Sequence, residues 1–266
     1  MHPFLSSCHI VQLINPYEQW SDPLVRELFE KTTTLKFEGY GRKYAKGPIP
    51  VDAVSWFCDH LLVCQERAGG ELQPILGFQH ATMKRYREHY RPFSPLAMCE
   101  SDDDHRHVTA MKELVAQFDS KPQLLSYTGC FAVAPELRTD RQLVDELVHF
   151  MVVLHYFFHQ EAEKGHEIIT GPTIRFRLDT LLNGYGFFPL VESEGEHDKA
   201  ALPVGAFAGE EVRMMRCREF NRDLVQLAER YMPMWENRKV LRNGANASPE
   251  STMSPFAVTA ESDRGA

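Results

Sequence analysis

The chain holds twelve histidines and six cysteines in 266 residues, and their spacing sets which metal or thiol chemistry they can support. His155 and His159 stand four apart, so a helix puts both on one face beside His149 and Glu161, in the pattern of half a zinc site. The glutamate that follows the first histidine of a zinc-protease helix is missing, because Tyr156 stands there. Asp102-Asp103-Asp104-His105-Arg106-His107 has neither the glycine nor the spacing of a calcium loop. Cysteines 8, 58, 64, 99, 130 and 217 form no CxxC pair and read as free thiols in a reducing cytoplasm. No metal is expected.

A different pattern carries more chemistry. In Phe131-Ala132-Val133-Ala134-Pro135-Glu136-Leu137-Arg138-Thr139-Asp140-Arg141-Gln142-Leu143 a strand ends in a turn and runs straight into a helix. The start of a helix offers unpaired N–H groups and the positive end of its dipole, a setting for an anion. Arg138 and Arg141 add guanidinium groups that match phosphate. Thr139-x-x-Gln142 reads as a capping box, which puts side chains on the same donors, and Asp140 adds a carboxylate.

The elements that must position these residues follow from periodicity. Residues 9–14 read as a strand ending at Asn15-Pro16, and Ser21-Asp22-Pro23 starts a helix with an apolar stripe at Leu24, Val25, Leu28 and Phe29. Residues 39–50 form a loop rich in glycine and proline. Strands at 60–64 and 75–81 flank the hairpin turn Ala68-Gly69-Gly70. Residues 85–122 read as an insertion with a helix near 108–118. A strand at 124–133, a helix at 141–164 stopped by Gly165, a strand at 167–170, a helix at 174–182, strands at 187–191 and 212–218, and a helix at 221–232 complete the order. Strands and helices alternating in this order read as one α+β domain over 1–242. The tail 243–266, poor in bulky apolar residues, is expected to be disordered.

A net charge of −8 and a pI of about 5.8 argue against nucleic acid as a principal partner. Lys84-Arg85-Tyr86-Arg87-Glu88-His89-Tyr90-Arg91 is a basic exception. Neither a secretory leader at Met1-His2-Pro3-Phe4-Leu5 nor an apolar run of the roughly 20 residues a bilayer needs is visible, so the reading is cytoplasmic, with no membrane span.

The run from Phe131 to Leu143 resembles the acyl-CoA-binding motif of the GNAT superfamily of N-acyltransferases, in which a strand ends in V-x-P-E-x-R and enters a long helix. The order of elements from 9 to 218 agrees, the motif likeness covers 123–190, and the resemblance implies a central mixed sheet of about seven strands flanked by helices on both faces. The resemblance implies a strand splayed from its neighbour, whose backbone at Phe131, Ala132 and Val133 grips the pantetheine arm of acetyl-CoA or another acyl-CoA. It implies a pyrophosphate at Arg138, Thr139, Asp140, Arg141, Gln142 and Leu143, and an acyl group passed to a small-molecule amine. Tyr127 and His80 are the implied contacts to that amine, and the N–H after Cys130 the group that polarises the thioester. Two departures stand out. The family's glycine pair is replaced by Arg141 and Leu143, and its proton-donating tyrosine by Leu182, leaving Tyr185 as a substitute. Autoinducer synthases and N-acyl amino acid synthases also lack the glycine pair and take acyl groups from acyl carrier protein. The chain is similar to them in its long first loop and in Asp59-His60-Leu61-Leu62, though Tyr127-Thr128-Gly129-Cys130 stands where they carry Glu-x-Ser/Thr-Arg. On that reading Lys84, Arg85, Arg87 and Arg91 would dock the acidic carrier. A member that keeps the fold and only binds is the third reading. Oligomeric state is open.

Overall fold

The computed structural model describes residues 2–41, 52–101, 105–195, 200–204 and 210–242. Of the loop expected over 39–50, the first three residues instead end the helix Pro23–Gly41 and the rest lies outside the described residues, as do Asp102-Asp103-Asp104 and the tail 243–266. Ten strands form among the described residues: β1 (Cys8–Leu13), β2 (Asp59–Glu66), β3 (Leu72–Thr82), β4 (Leu125–Val133), β5 (Glu167–Thr170), β6 (Phe188–Pro189), β7 (Leu202–Val204), β8 (Glu210–Val212), β9 (Met215–Cys217) and β10 (Lys239–Leu241). Eight of them make one mixed sheet in the order β10-β1-β2-β3-β4-β5-β9-β6, and β7 and β8 pair separately. The β2–β3 hairpin read from the sequence is present, and only β1–β10 and β4–β5 pair in parallel.

Side-chain alternation gives the sheet two apolar faces. Ile10, Leu61, Val63, Phe78 and Ile168 meet the long helix Arg141–Glu161 through Leu147, Phe150, Val153, Leu154 and Phe157. On the opposite face, Val11, Leu13, Leu62 and Cys64 take Val25 and Leu28 of the helix Pro23–Gly41. Farther along that face, Ala81, Leu125 and Ile169 meet Met83, Tyr86, Cys99, Met111 and Leu114. These last residues come from three helices, Met83–Glu88, Ser94–Glu100 and His105–Gln117. The stretch expected as an insertion over 85–122 therefore supplies half of a core.

Other differences have local causes. The helix expected at 174–182 is broken into Ile174–Phe176 and Leu178–Asn183, because Arg177 between them adopts a left-handed φ of 55°. The strand expected at 212–218 divides, with Val212 pairing Leu202 and Met215 pairing Thr170. The final helix stops at Glu229, and Met232–Glu236 follows with Pro233 in its first turn.

Where β5 begins, Glu167 is fully buried and accepts hydrogen bonds from the Nε of both Arg216 and Arg218. A buried carboxylate is tolerated only when so paired. Glu167→Gln is expected to lower the unfolding free energy by about 2 kcal/mol, read by urea titration, since two charge-assisted bonds weaken together.

Candidate functional site

The register of the central strands creates the site. β4 and β5 pair from Leu125↔Glu167 to Thr128↔Thr170 and no farther. Beyond that pair β4 continues to Val133, whereas the chain leaving β5 turns at Gly171-Pro172. The strands part as expected. On its other side β4 pairs β3 through a bulge: Gly77 stands opposite Ala132 and Gln79 opposite Gly129, leaving Phe78 to face both Cys130 and Phe131. Cys130 takes a left-handed φ of 56° to make this bulge.

A cavity of about 1240 Å³ runs through the gap. Gly129, Cys130, Phe131 and Val133 line it from β4, and Thr170, Gly171, Pro172 and Thr173 from the other edge. On one face of the sheet it reaches Val144, Val148, His149 and Met151 of the long helix, and on the other Cys58, Ala81, Met98 and Tyr127. The two faces are thus connected through the opening, in walls that are mostly apolar with a few polar groups, as suits a small-molecule site.

The gap-side backbone of β4 already has partners. Ala134 N–H donates to the Ile75 carbonyl (2.8 Å), so by alternation Ala132 turns toward β3 and Val133 toward the gap. The Val133 carbonyl accepts from Arg138 Nη2 (2.9 Å), which also donates to Gly39 O (3.0 Å). The Phe131 carbonyl accepts from the Tyr40 hydroxyl (2.7 Å). Of the backbone acceptors expected to grip a pantetheine arm, two carry side chains from the same protein, and Ala132 faces its sheet partner. Arg138 lines the cavity, with its Nη2 bonded to main-chain carbonyls of the chain itself.

The helix start is likewise occupied. Arg141 opens the helix as expected, yet the cap is Asp140, whose Oδ1 accepts from Leu143 N–H (3.0 Å). The capping box read at Thr139 and Gln142 does not form; Thr139 Oγ1 donates to Glu136 O (3.3 Å). Leu143 is buried and its N–H is taken, while Arg141 and Gln142 are exposed. A carboxylate occupies the dipole end where a pyrophosphate would otherwise sit.

The three expected catalytic residues separate. Tyr127 faces the cavity, its hydroxyl against Met98 Sδ at 3.7 Å. Burial, followed by Cys130 and Asp52, drives its phenol well above the ordinary range, so it stays protonated and is a donor, not a base. His80 does not line the cavity. Gln79 and Ala81 line the cavity, so His80 turns away from it and stacks on Phe158 (4.6 Å between ring centroids). Burial, with His166 nearby, holds its pKa well below the usual value, and neither ring nitrogen has a partner. Tyr185 does not line the cavity; its hydroxyl sits 2.7 Å from Nδ1 of His149, which does. Gly186 fixes this arrangement, since at φ 103° any Cβ there would lie 2.7 Å from the Glu219 carbonyl.

Sequence reasoning missed several groups. His149 figured only in a metal set; in fact His155 and His159 bond elsewhere, and among the described residues no group of histidine, cysteine or acidic side chains could hold a metal. His155 joins Met151 O through Nδ1 (2.7 Å) and Thr128 Oγ1 through Nε2 (2.8 Å), latching the last residue before the strands part. Lys36, one turn before Tyr40, is buried with no hydrogen-bond partner on Nζ. Its charge acts on His60, whose pKa falls to about 3 chiefly through burial, and on the thiols of Cys58 and Cys130, which burial raises. The signal for Lys36 was its four-residue spacing to Tyr40; what hid it was a mixed helix face.

The basic run is largely committed. Arg85 donates to Phe57 O (3.1 Å) and lies 3.9 Å from Asp59. Arg87 donates to the Asp119 carbonyl and carboxylate (2.9 and 2.7 Å), and Lys84 pairs Glu88 at 3.7 Å. Arg91 is exposed.

No protein-family model and no curated protein sequence matches the chain. Solved structures similar to it include BjaI, a CoA-dependent acyl-homoserine lactone synthase with SAM and isopentyl-CoA. It is 12% identical, with 90% of this chain and 95% of that one covered at a TM-score of 0.50. The AHL synthase LasI is 11% identical over 79% of this chain and 87% of its own, TM-score 0.44. FeeM, an N-acyl amino acid synthase from uncultured soil microbes, is 12% identical over 79% and 90%, TM-score 0.39. At this identity the likeness concerns the fold, which is that of the acyl-CoA N-acyltransferases. No helix among the described residues is long and apolar enough to cross a membrane.

Proposed function

We propose that the protein, built on the acyl-CoA N-acyltransferase fold, moves an acyl group from a pantetheine thioester to the amine of a small molecule. The observation that carries this reading is the cavity through the β4–β5 gap, which joins a channel along the long helix to a second chamber across the sheet. The thioester arm would lie in the gap with its carbonyl near the bulge at Cys130, and the amine would approach from the chamber containing Tyr127. Attack by a neutral amine nitrogen on the carbonyl carbon forms the C–N bond, the C–S bond breaks, and one proton passes from nitrogen to sulfur. Alignment supplies much of the acceleration, with no covalent enzyme intermediate. The N–H that follows Cys130 at the bulge, together with the buried charge of Lys36, would favour negative charge on the carbonyl oxygen. Tyr127, kept protonated, would donate a hydrogen bond.

Acyl-CoA is the proposed donor, since Arg85 and Arg87 hold internal partners and are poorly suited to dock a carrier. One observation favours the second reading, an acyl carrier protein-dependent enzyme of the N-acyl amino acid synthase kind. Asp140 occupies the helix start, and a carrier's arm ends in a single phosphodiester with no pyrophosphate to be repelled there.

The deciding experiment follows thermal stability and free-thiol release with acetyl-CoA, long-chain acyl-CoA and acylated carrier protein, each with a panel of amines. Turnover of CoA thioesters supports the main reading, and turnover of the carrier alone the second. Stabilisation with no thiol released from any donor returns the protein to a binding role. Arg141→Ala is expected to raise the donor's KM about three- to tenfold with kcat unchanged, as for a lost exposed phosphate contact of about 1 kcal/mol. An unchanged KM removes Arg141 from the donor site.

A further inference from the structure

The cavity wall carries two imidazoles, and they differ in what their nitrogens do. Both nitrogens of His155 are engaged, by Met151 O and Thr128 Oγ1. His149 has only Nδ1 engaged, at 2.7 Å from the Tyr185 hydroxyl, with the two rings edge to face (5.7 Å, 84°). It stands on the long helix among Asp145, Val148 and Leu182, which line the same stretch. Tyr185 is held rigidly. Its N–H donates to Leu182 O (2.9 Å), its carbonyl accepts from Asn221 N–H (3.3 Å), and Gly186 after it tolerates no side chain. A ring held by a fixed phenol through one nitrogen, in a residue that lines a cavity, is the arrangement of a general base oriented by a second group.

We infer that His149 is the proton shuttle of the acyl transfer and that Tyr185 is its positioning residue, an inference that rests on the proposed acyl transfer. With Nδ1–H donated to the Tyr185 oxygen, Nε2 presents its lone pair to the cavity. As the C–N bond forms in the opening that joins the two faces, Nε2, from the long-helix side of it, takes the proton that the amine nitrogen loses. As the C–S bond breaks, the same proton passes from the imidazolium to the departing thiolate. The imidazole ends neutral, and no other reagent is needed. The phenol suits this role: burial, then Asp223, keeps its pKa above the usual value, so it remains a neutral partner to the imidazolium. The charged groups around the pair are Asp145, one turn earlier on the helix, and Asp223 from the helix Arg222–Glu229.

The test compares wild type, His149→Gln, His149→Ala and Tyr185→Phe over pH 5.5–9.5 with the CoA thioester and amine that wild type turns over, alongside their urea stabilities. His149→Gln is expected to lower kcat about 100-fold with KM within threefold, and to abolish the acidic limb of the pH–rate profile, the usual reach of general acid–base catalysis. Added imidazole is expected to restore part of the rate of His149→Ala, which a purely structural role would not allow. Tyr185→Phe should keep that limb and move its midpoint. If wild type releases thiol and His149→Gln keeps both its rate and its pH profile, the shuttle is wrong and the acyl transfer stands. If wild type turns over no thioester, the proposed function has failed and this inference fails with it. Should His149→Gln fold poorly, imidazole rescue of His149→Ala decides.

Discussion

Acidification from pH 7 to pH 4 is expected to unfold the protein. His80, His155, His159 and His166 are gathered where the long helix meets the sheet, and burial keeps all four imidazoles harder to protonate than in water. For His155 and His166 the pKa falls from 6.5 to about 4. His60, across the sheet, drops to about 3. A histidine that is neutral in the fold and free to protonate once unfolded subtracts nothing above pH 6.5. Below that the unfolded chain binds the extra proton, and stability falls until the pH reaches the folded value. For His155 and His166 that window is worth about 3 kcal/mol each, and His60, His80 and His159 act in the same direction, so the loss is comparable with the 5–15 kcal/mol by which domains are usually stable. Asp59 works in the opposite sense. Burial raises its pKa from 3.8 to about 6, so the stability it costs at neutral pH returns as it protonates, offsetting about one imidazole. Urea titrations at pH 7, 6, 5 and 4.5 should show midpoints falling steeply between pH 6.5 and 4. His80→Phe, in a site already stacked on Phe158, should reduce the slope near pH 5.5 by up to one proton. A stability flat from pH 7 to 4 would contradict the buried, neutral imidazoles.

Replacing Gly171 by phenylalanine should eliminate thioester turnover while the native fold persists. A Cβ at Gly171 would stand 3.7 Å from Val212 Cγ2 and 3.8 Å from the Cε of Met98 and Met214, ordinary contact distances. The β-carbon therefore fits, and the added ring has the cavity beside the parted strands to fill. A fall of at least about 100-fold in kcat/KM is expected, about 2.7 kcal/mol of transition-state binding. Gly171→Ala should remain near wild type. Full activity in Gly171→Phe with an unchanged acyl-CoA thermal shift would mean that the thioester does not pass through the gap. Gly129 has a separate role: a Cβ there would meet the Tyr127 hydroxyl at 2.7 Å, so its hydrogen lets that ring lie over the strand.

How far the site was legible can be seen at particular residues. The strand, turn and helix at Val133-Ala134-Pro135 were readable as a local pattern, whereas the splay was expected only through the resemblance that this pattern carries. The helix cap was misread by one residue: Thr139 and Asp140 are both good caps, and only the path of the turn gives Asp140 the Leu143 N–H. His80 was assigned to the site because its strand borders it; which face it took depended on β3–β4 register across a bulge. The helices between Met83 and Gln117 looked like an insertion because each is short, and their apolar residues gain meaning only against Ala81, Leu125 and Ile169.

The sequence by itself determined the order of elements and the strand that leads into a long helix, because these depend on periodicity and turn chemistry between near neighbours. Tertiary structure alone decided which groups the cavity receives. Tyr40 reaches Phe131, Arg138 reaches Gly39, and Tyr185 reaches His149 across separations that no local pattern encodes. The physical reason is that a backbone carbonyl or imidazole nitrogen takes whichever donor the packing brings within about 3 Å, and packing is a property of the whole chain.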